Sequence, residues 1–250
     1  MDDPLDQHTP APQINGRLLQ TLVIARADLP TSPQLPRLTA LLIESFQAQH
    51  HQPLLPPESE RFPGGSEQLL REIGPGSWTI ILADAEDAST IYGTVTVEPK
   101  DLTPASLREG SNEEAPKHHL DPAFITGDGF PLVTGETRWT VRSLCANIRF
   151  QKRGIADWLM LQAEHLILKQ EAQANARRLI GSPTTIVRLL LTTIEELTGA
   201  WYVKRGWAVY HTRRMPPGFI GSEGGFTLVD MFKLLELPPA TATVSSTATL

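Results

Sequence analysis

The chain has 250 residues, of which 40% are hydrophobic and 20% charged, and its formal net charge is -6. That is enough for one sizeable core or two small ones, while the acidic balance and the lack of any long Lys/Arg run with interleaved aromatics argue against a nucleic-acid partner. Its one cysteine, Cys145, rules out an internal disulfide and any metal site built on two cysteines.

Met1 to Gly16 mixes Asp, Pro, Gln and Thr, and Pro238 to Leu250 is almost all Pro, Ala, Thr, Ser and Val, so two disordered tails are expected around one mixed α/β domain spanning 17–237. The acidic, proline-bearing start is unlike a secretory signal, and no apolar stretch reaches the roughly 20 residues of a membrane span. An intracellular, cytoplasmic location without a membrane partner is therefore expected. Leu18 to Ala25 reads as a first strand. Ser32 can cap a helix with Pro33 in its first turn, and Leu38, Leu41, Leu42, Ser45 and Phe46 then recur at helical spacing. The proline-rich stretch Pro53 to Gly65 is a loop, followed by a short helix over Ser66 to Ile73.

Trp78 to Ala83 and Ile91 to Glu98 read as a hairpin across the acidic turn Asp84 to Asp87. Pro99 to Gly135 is too long and aperiodic for an ordinary loop and is expected to be an insertion shaping the substrate side. Thr137 to Asn147 is again a strand. Gly154 to Ala176 is the longest helical pattern, with Ile155, Trp158, Leu159, Ala163, Leu166 and Ile167 on one face. Ile186 to Thr193 is a continuous apolar run, expected to be buried on both faces. Glu196 to Arg205 predicts a short helix stopped by Gly206. Trp207 to Thr212 and Thr227 to Leu235 predict a last hairpin.

The chemistry concentrates in Gln151-Lys152-Arg153-Gly154-Ile155-Ala156, where a strand hands over to the long helix. Small residues there let a ligand approach bare backbone, the helix head adds partial positive charge, and Lys152 and Arg153 add full charges. A diphosphate is the natural ligand, with no metal required. This turn, together with Tyr202-Val203-Lys204-Arg205-Gly206-Trp207 after a buried strand, resembles the GNAT superfamily of acyl-CoA-dependent N-acetyltransferases. Gln151 to Ala156 matches that family's Q/R-x-x-G-x-G/A turn, and Tyr202 to Trp207 its tyrosine, basic pair, glycine and aromatic.

The resemblance implies an α/β fold with a strongly twisted, seven-stranded mixed sheet whose fourth and fifth strands run parallel and splay apart. It implies acetyl-CoA as co-substrate, its pantetheine on the backbone of Leu144, Cys145 and Ala146 and its diphosphate on Gln151, Lys152, Arg153, Gly154, Ile155 and Ala156. The reaction implied is direct attack of an amine, small-molecule or protein-borne, on the thioester. A backbone N–H near Cys145 or Ala146 would face the oxyanion, and Tyr202 would protonate the departing sulfur, a phenol and a thiol being of comparable acidity.

A base is less legible. The position matching the family's strand glutamate is Thr140, which cannot act as one, and Glu136 on the same side of the strand is the candidate substitute; its other reading is a solvated strand-end carboxylate. Glu195 stands where relatives often carry a cofactor-holding asparagine. These two departures keep open a non-catalytic acyl-CoA-binding or interaction module. A dinucleotide-binding oxidoreductase is the weaker third reading, since the turn lacks G-x-G-x-x-G spacing. Cys145 reads as buried filler rather than a nucleophile. The pairs His50-His51 and His118-His119 and the cluster Glu109, Glu113, Glu114 read as solvated loop residues.

Overall fold

A computed structural model describes residues 11–14, 16–48, 62–100, 134–177, 183–219 and 222–238 of the chain. The expected insertion is thus described only at its two ends, and most of both expected tails lies outside the described residues.

Seven strands form one sheet in the order β1-β2-β3-β4-β5-β7-β6. They are β1 (Leu19–Ala25), β2 (Trp78–Asp84), β3 (Ile91–Pro99), β4 (Glu136–Ala146), β5 (Ile186–Ile194), β6 (Ala208–Met215) and β7 (Phe226–Glu236). Every neighbouring pair is antiparallel except β4 and β5, which run parallel. This is the sheet that the resemblance implied.

The period-two pattern decides what each face meets. In β2, Ile80 and Leu82 pack with Val95, Val97, Val187 and Leu189 in one core, whereas Ile81 and Ala83 pack in another. Helices α1 (Leu35–Ala48) and α2 (Gly65–Glu72) cover the second face through Leu38, Leu41, Leu42 and Leu69. Helix α3 (Ile155–Arg177) covers the first through Ile155, Trp158, Leu159, Ala163 and Ile167. Ser32 Oγ accepts from Gln34 N at 3.2 Å in the turn ahead of the helix, which begins at Leu35 and so leaves Ser32 and Pro33 outside it, not as its expected cap and first turn.

Gly93 decides how closely α3 approaches the sheet. A Cβ there would lie 2.7 Å from the Cys145 carbonyl oxygen, 2.8 Å from Ile155 Cγ2 and 2.9 Å from Leu159 Cδ1. Only a hydrogen leaves room for the head of α3 to rest on β3 and β4.

Two expectations need correction. Pairing between β4 and β5 stops at Thr140 and Leu190, although both strands continue. β5 is therefore not buried on both faces along its length: Val187, Leu189 and Leu191 are buried, but Thr192 is exposed. The segment after β5 is also not one helical turn type. Glu195–Gly199 forms a π-helical turn that runs into α4 (Ala200–Val203), and Gly206 at φ +82° ends it as expected.

Candidate active site

The site begins where β4 and β5 part. Beyond Thr140, β4 keeps its ladder to β3 (Thr96 opposite Arg142, Thr94 opposite Cys145, Gly93 opposite Ala146), and no described strand pairs with its other side. The β3–β4 register shifts between Thr94 and Thr96, and Ser143 sits at φ +52°. A bulge of this kind re-aims backbone groups and twists the strand away from its neighbour. Leu144, Cys145 and Ala146 thus form one wall of an open-sided gap, and the last residues of β5 form the other.

Five residues further along the chain the turn begins. Asn147 fastens it: its Nδ2 donates to Ile91 O at 3.0 Å and its Oδ1 accepts from Arg149 N at 3.0 Å, while its own N donates to Tyr92 O at 2.8 Å. Phe150 packs edge-on against Tyr92, ring centroids 4.7 Å apart. Lys152 at φ +61° and Gly154 at φ +77° then adopt left-handed backbone, which glycine takes without strain. Gln151, Lys152, Arg153 and Gly154 are all exposed, and a Cβ on Gly154 would meet nothing within 4 Å. The first intrahelical bond of α3 runs from Trp158 N to Gly154 O, so the amides of Ile155 and Ala156 precede the helical ladder. Open amides, a helix head and the Lys152 ammonium converge on one exposed patch. Beside it a cleft of ≈ 450 Å³ opens toward α1, with Arg37, Arg149 and Glu44 among its lining residues.

Asp157, in the first turn of α3, would oppose an anion there. Arg205 neutralises it through an ion pair, lies over the Trp201 ring at 3.7 Å, and donates to Trp201 O at 2.9 Å. The end of α4 is thereby tied to the head of α3. Asn147 and Asp157 were not singled out from the sequence, although an Asn just before a glycine-bearing turn is a capping signal.

Tyr202 is 8% exposed, with Trp201 and Trp207 edge-on at 4.8 and 5.8 Å. Its hydroxyl bonds to no described residue, and burial pushes its pKa up to about 12. The expected parity with a thiol therefore does not hold: the phenol stays protonated, and full transfer to an ordinary thiolate, near 8.5, would run uphill.

Glu136 fits neither of its readings. Its side chain is 3% exposed; Arg188 donates Nε to Oε1 at 2.9 Å and a terminal nitrogen to Oε2 at 2.8 Å, and Arg138 Nε donates to Oε1 at 2.8 Å. The Arg188 bonds, joined by those of Arg138, hold the carboxyl below its ordinary value despite burial. With three guanidinium N–H donors on its two oxygens, the Glu136 carboxylate is not a solvated one. It also lies four residues before Thr140, about 13 Å along the strand from the point where the gap opens.

Cys145 points away from the gap into the α1 core, where its thiol donates to Ser45 Oγ at 2.9 Å, and burial raises its pKa to about 11. The position is that of filler. Glu195 is exposed at the start of the π turn. Among the described residues no group of three or more His, Cys, Asp or Glu is placed to hold a metal ion, and no helix is long and apolar enough to cross a membrane. His50, His51, His118, His119, Glu109, Glu113 and Glu114 lie outside the described residues.

No protein-family model matches the chain, and no curated protein sequence matches it. Similar solved structures include an acetyltransferase of the GNAT family from Streptococcus pneumoniae, 13% identical over 87% of this chain and 99% of that one, with a TM-score of 0.45. A GCN5-related N-acetyltransferase from Kribbella flavida is 17% identical over 87% of this chain and 98% of its own, with a TM-score of 0.44. Arabidopsis thaliana NAA60 in complex with a bisubstrate analogue is 14% identical over 88% of this chain and 100% of its own, with a TM-score of 0.45. The chain's own architecture is a seven-stranded mixed sheet with a parallel pair that parts at Thr140 and Leu190 and an exposed turn heading the longest helix.

Proposed function

We propose that the chain binds acetyl-coenzyme A and transfers the acetyl group to an amine by direct attack in a ternary complex. One observation carries the reading: an exposed turn of left-handed residues, heading the longest helix, follows directly on the wall of a gap between parallel strands. The turn suits a diphosphate and the gap suits an extended, amide-bearing arm that adds to β4 as a strand would.

In this reading the diphosphate lies on Gln151 to Ala156 and the pantetheine along Leu144, Cys145 and Ala146. The amine nitrogen attacks the thioester carbonyl carbon, and a backbone N–H re-aimed by the bulge at Ser143 faces the developing oxyanion. Collapse of the adduct breaks the C–S bond. Tyr202 donates a hydrogen bond to the leaving sulfur as charge develops there, a role that suits a phenol more weakly acidic than a thiol. Glu136 holds the β4–β5 seam together through Arg138 and Arg188 and takes no part in the chemistry.

Calorimetry with coenzyme A, followed by thiol release from acetyl-CoA across a panel of small amines, peptides and lysine-bearing proteins, tests the proposal. Micromolar binding with amine-dependent thiol release is expected. Binding without release under any amine assigns the non-catalytic acyl-CoA-binding role instead, and no binding removes both.

A further inference from the structure

With Thr140 unable to act and Glu136 locked between guanidiniums, the amine's proton needs another destination. β5 supplies it on the face opposite α3. Val187, Leu189 and Leu191 point into the α3 core, so Leu190 and Thr192 point to the other side, the side covered by α1 and α2 over β2 to β4. Thr192 lies two residues past the last β4–β5 pair, about 7 Å into the gap, and it is exposed.

Its hydroxyl donates to Asp230 Oδ1 on the neighbouring strand β7 at 2.5 Å. Asp230 is only 6% exposed, yet three groups converge on it. Arg213 donates to Oδ1 at 2.9 Å, and His211 Nδ1, on β6 directly opposite, stands 3.0 Å from Oδ2. The result is a buried carboxylate held by groups of two strands, one of them the hydroxyl of Thr192, an exposed residue of β5 beyond the point where β4 and β5 part.

We infer that Thr192 and Asp230 take up the proton of the attacking amine, with His211 and Arg213 as positioning residues for the carboxylate; this rests on the acyl-transfer reading above. A threonine hydroxyl that spends its one hydrogen on Asp230 keeps lone pairs for an incoming N–H. As the N–C bond forms, nitrogen loses its proton to Thr192 Oγ1 and the hydroxyl's own proton passes to Asp230 Oδ1. The C–S bond then breaks, the departing thiolate, hydrogen-bonded by Tyr202, takes a proton from solvent, and Asp230 returns its own proton to solvent. A carboxylate is basic enough because nitrogen in the tetrahedral adduct is far more acidic than in the free ammonium.

The same contacts also tie β5, β7 and β6 together, so the test separates the two roles. Thr192→Val keeps the β-branched shape and deletes the hydroxyl; Thr192→Ser keeps the hydroxyl. For Thr192→Val, kcat should fall about 100-fold or more, as for loss of a general base, with the Kd for coenzyme A unchanged; Thr192→Ser should recover to within about fivefold of the parent. Asp230→Asn should match Thr192→Val in kcat. A purely structural tie predicts instead a lowered Tm with kcat per folded molecule intact. If the unmodified protein turns over and Thr192→Val keeps kcat within about threefold of it, the inference fails while the acetyltransferase reading stands. If the unmodified protein acetylates nothing, both fall together.

Discussion

Replacing Gly93 by alanine puts a methyl group where three atoms already stand. Its Cβ would lie 2.7 Å from the Cys145 carbonyl oxygen, 2.8 Å from Ile155 Cγ2 and 2.9 Å from Leu159 Cδ1, all inside the 3.4 Å of ordinary contact. The first of these is backbone of the β4 gap wall and cannot rotate away; the other two belong to the first and second turns of α3. Relief therefore requires α3 to lift from the sheet, which misplaces the turn against the gap. Overpacking of this kind costs about 1–3 kcal/mol. A described core of this size loses about 2–4 °C per kcal/mol, so Tm should fall by roughly 2–12 °C. Gly154→Ala is the control in which φ replaces space as the cause. Nothing lies within 4 Å of its Cβ, but φ is +77°, so the cost is about 1–2 kcal/mol of backbone strain, and in the proposed complex the methyl would intrude on the diphosphate. Thermal melts with and without coenzyme A read both effects. Gly93→Ala should lower the melt of the free protein, whereas Gly154→Ala should mainly abolish the rise in Tm that coenzyme A produces. A Gly93→Ala protein that melts within about 1 °C of its parent and keeps its coenzyme A affinity would refute the close approach of α3 described above.

Tyr202→Phe should leave Tm and coenzyme A affinity nearly unchanged, because the hydroxyl bonds to no described residue, while kcat falls about 10- to 100-fold; unchanged turnover would dispose of its role at the sulfur. Glu136→Gln strips the charge from a carboxylate whose partners Arg138 and Arg188 are 2% and 11% exposed, so a loss of about 3–5 kcal/mol in urea melts is expected. The folded carboxyl sits below its ordinary 4.5, so its contribution is complete above that pH and disappears as pH falls through the lowered value. Stability of Glu136→Gln should accordingly vary less between about pH 3 and 5 than the parent's, with the alkaline side of the pH–rate profile untouched. Cys145, raised from 9.0 to about 11, holds about a hundredfold less thiolate at pH 8 than an ordinary thiol. Iodoacetamide labelling should be negligible in the native protein and complete in urea, and prompt native labelling would contradict its place in the α1 core.

What the sequence discloses depends on how far apart the interacting residues lie along the chain. Strand and helix patterns are local periodicities, and Leu38, Leu41 and Leu42 or Ile155, Trp158 and Leu159 announce their faces without reference to anything distant. The turn is local too, since Lys152, Gly154 and the head of α3 are consecutive. Glu136 misleads because its meaning is set by Arg188, 52 residues away, and only the parallel register that places Arg138 opposite Arg188 brings both guanidiniums to it. The π turn is invisible for a different reason: one added residue per turn barely alters the apolar pattern over Glu195–Gly199. Thr192, Asp230 and His211 are the extreme case. β7 enters the sheet between β5 and β6, so three residues from three strands meet only because chain order and sheet order disagree at that edge. An exposed threonine inside an apolar run looks like a flaw in a buried strand when read along the chain. It becomes intelligible once pairing with β4 is seen to end two residues earlier, because the same loss of a neighbour that opens the gap also leaves Thr192 exposed.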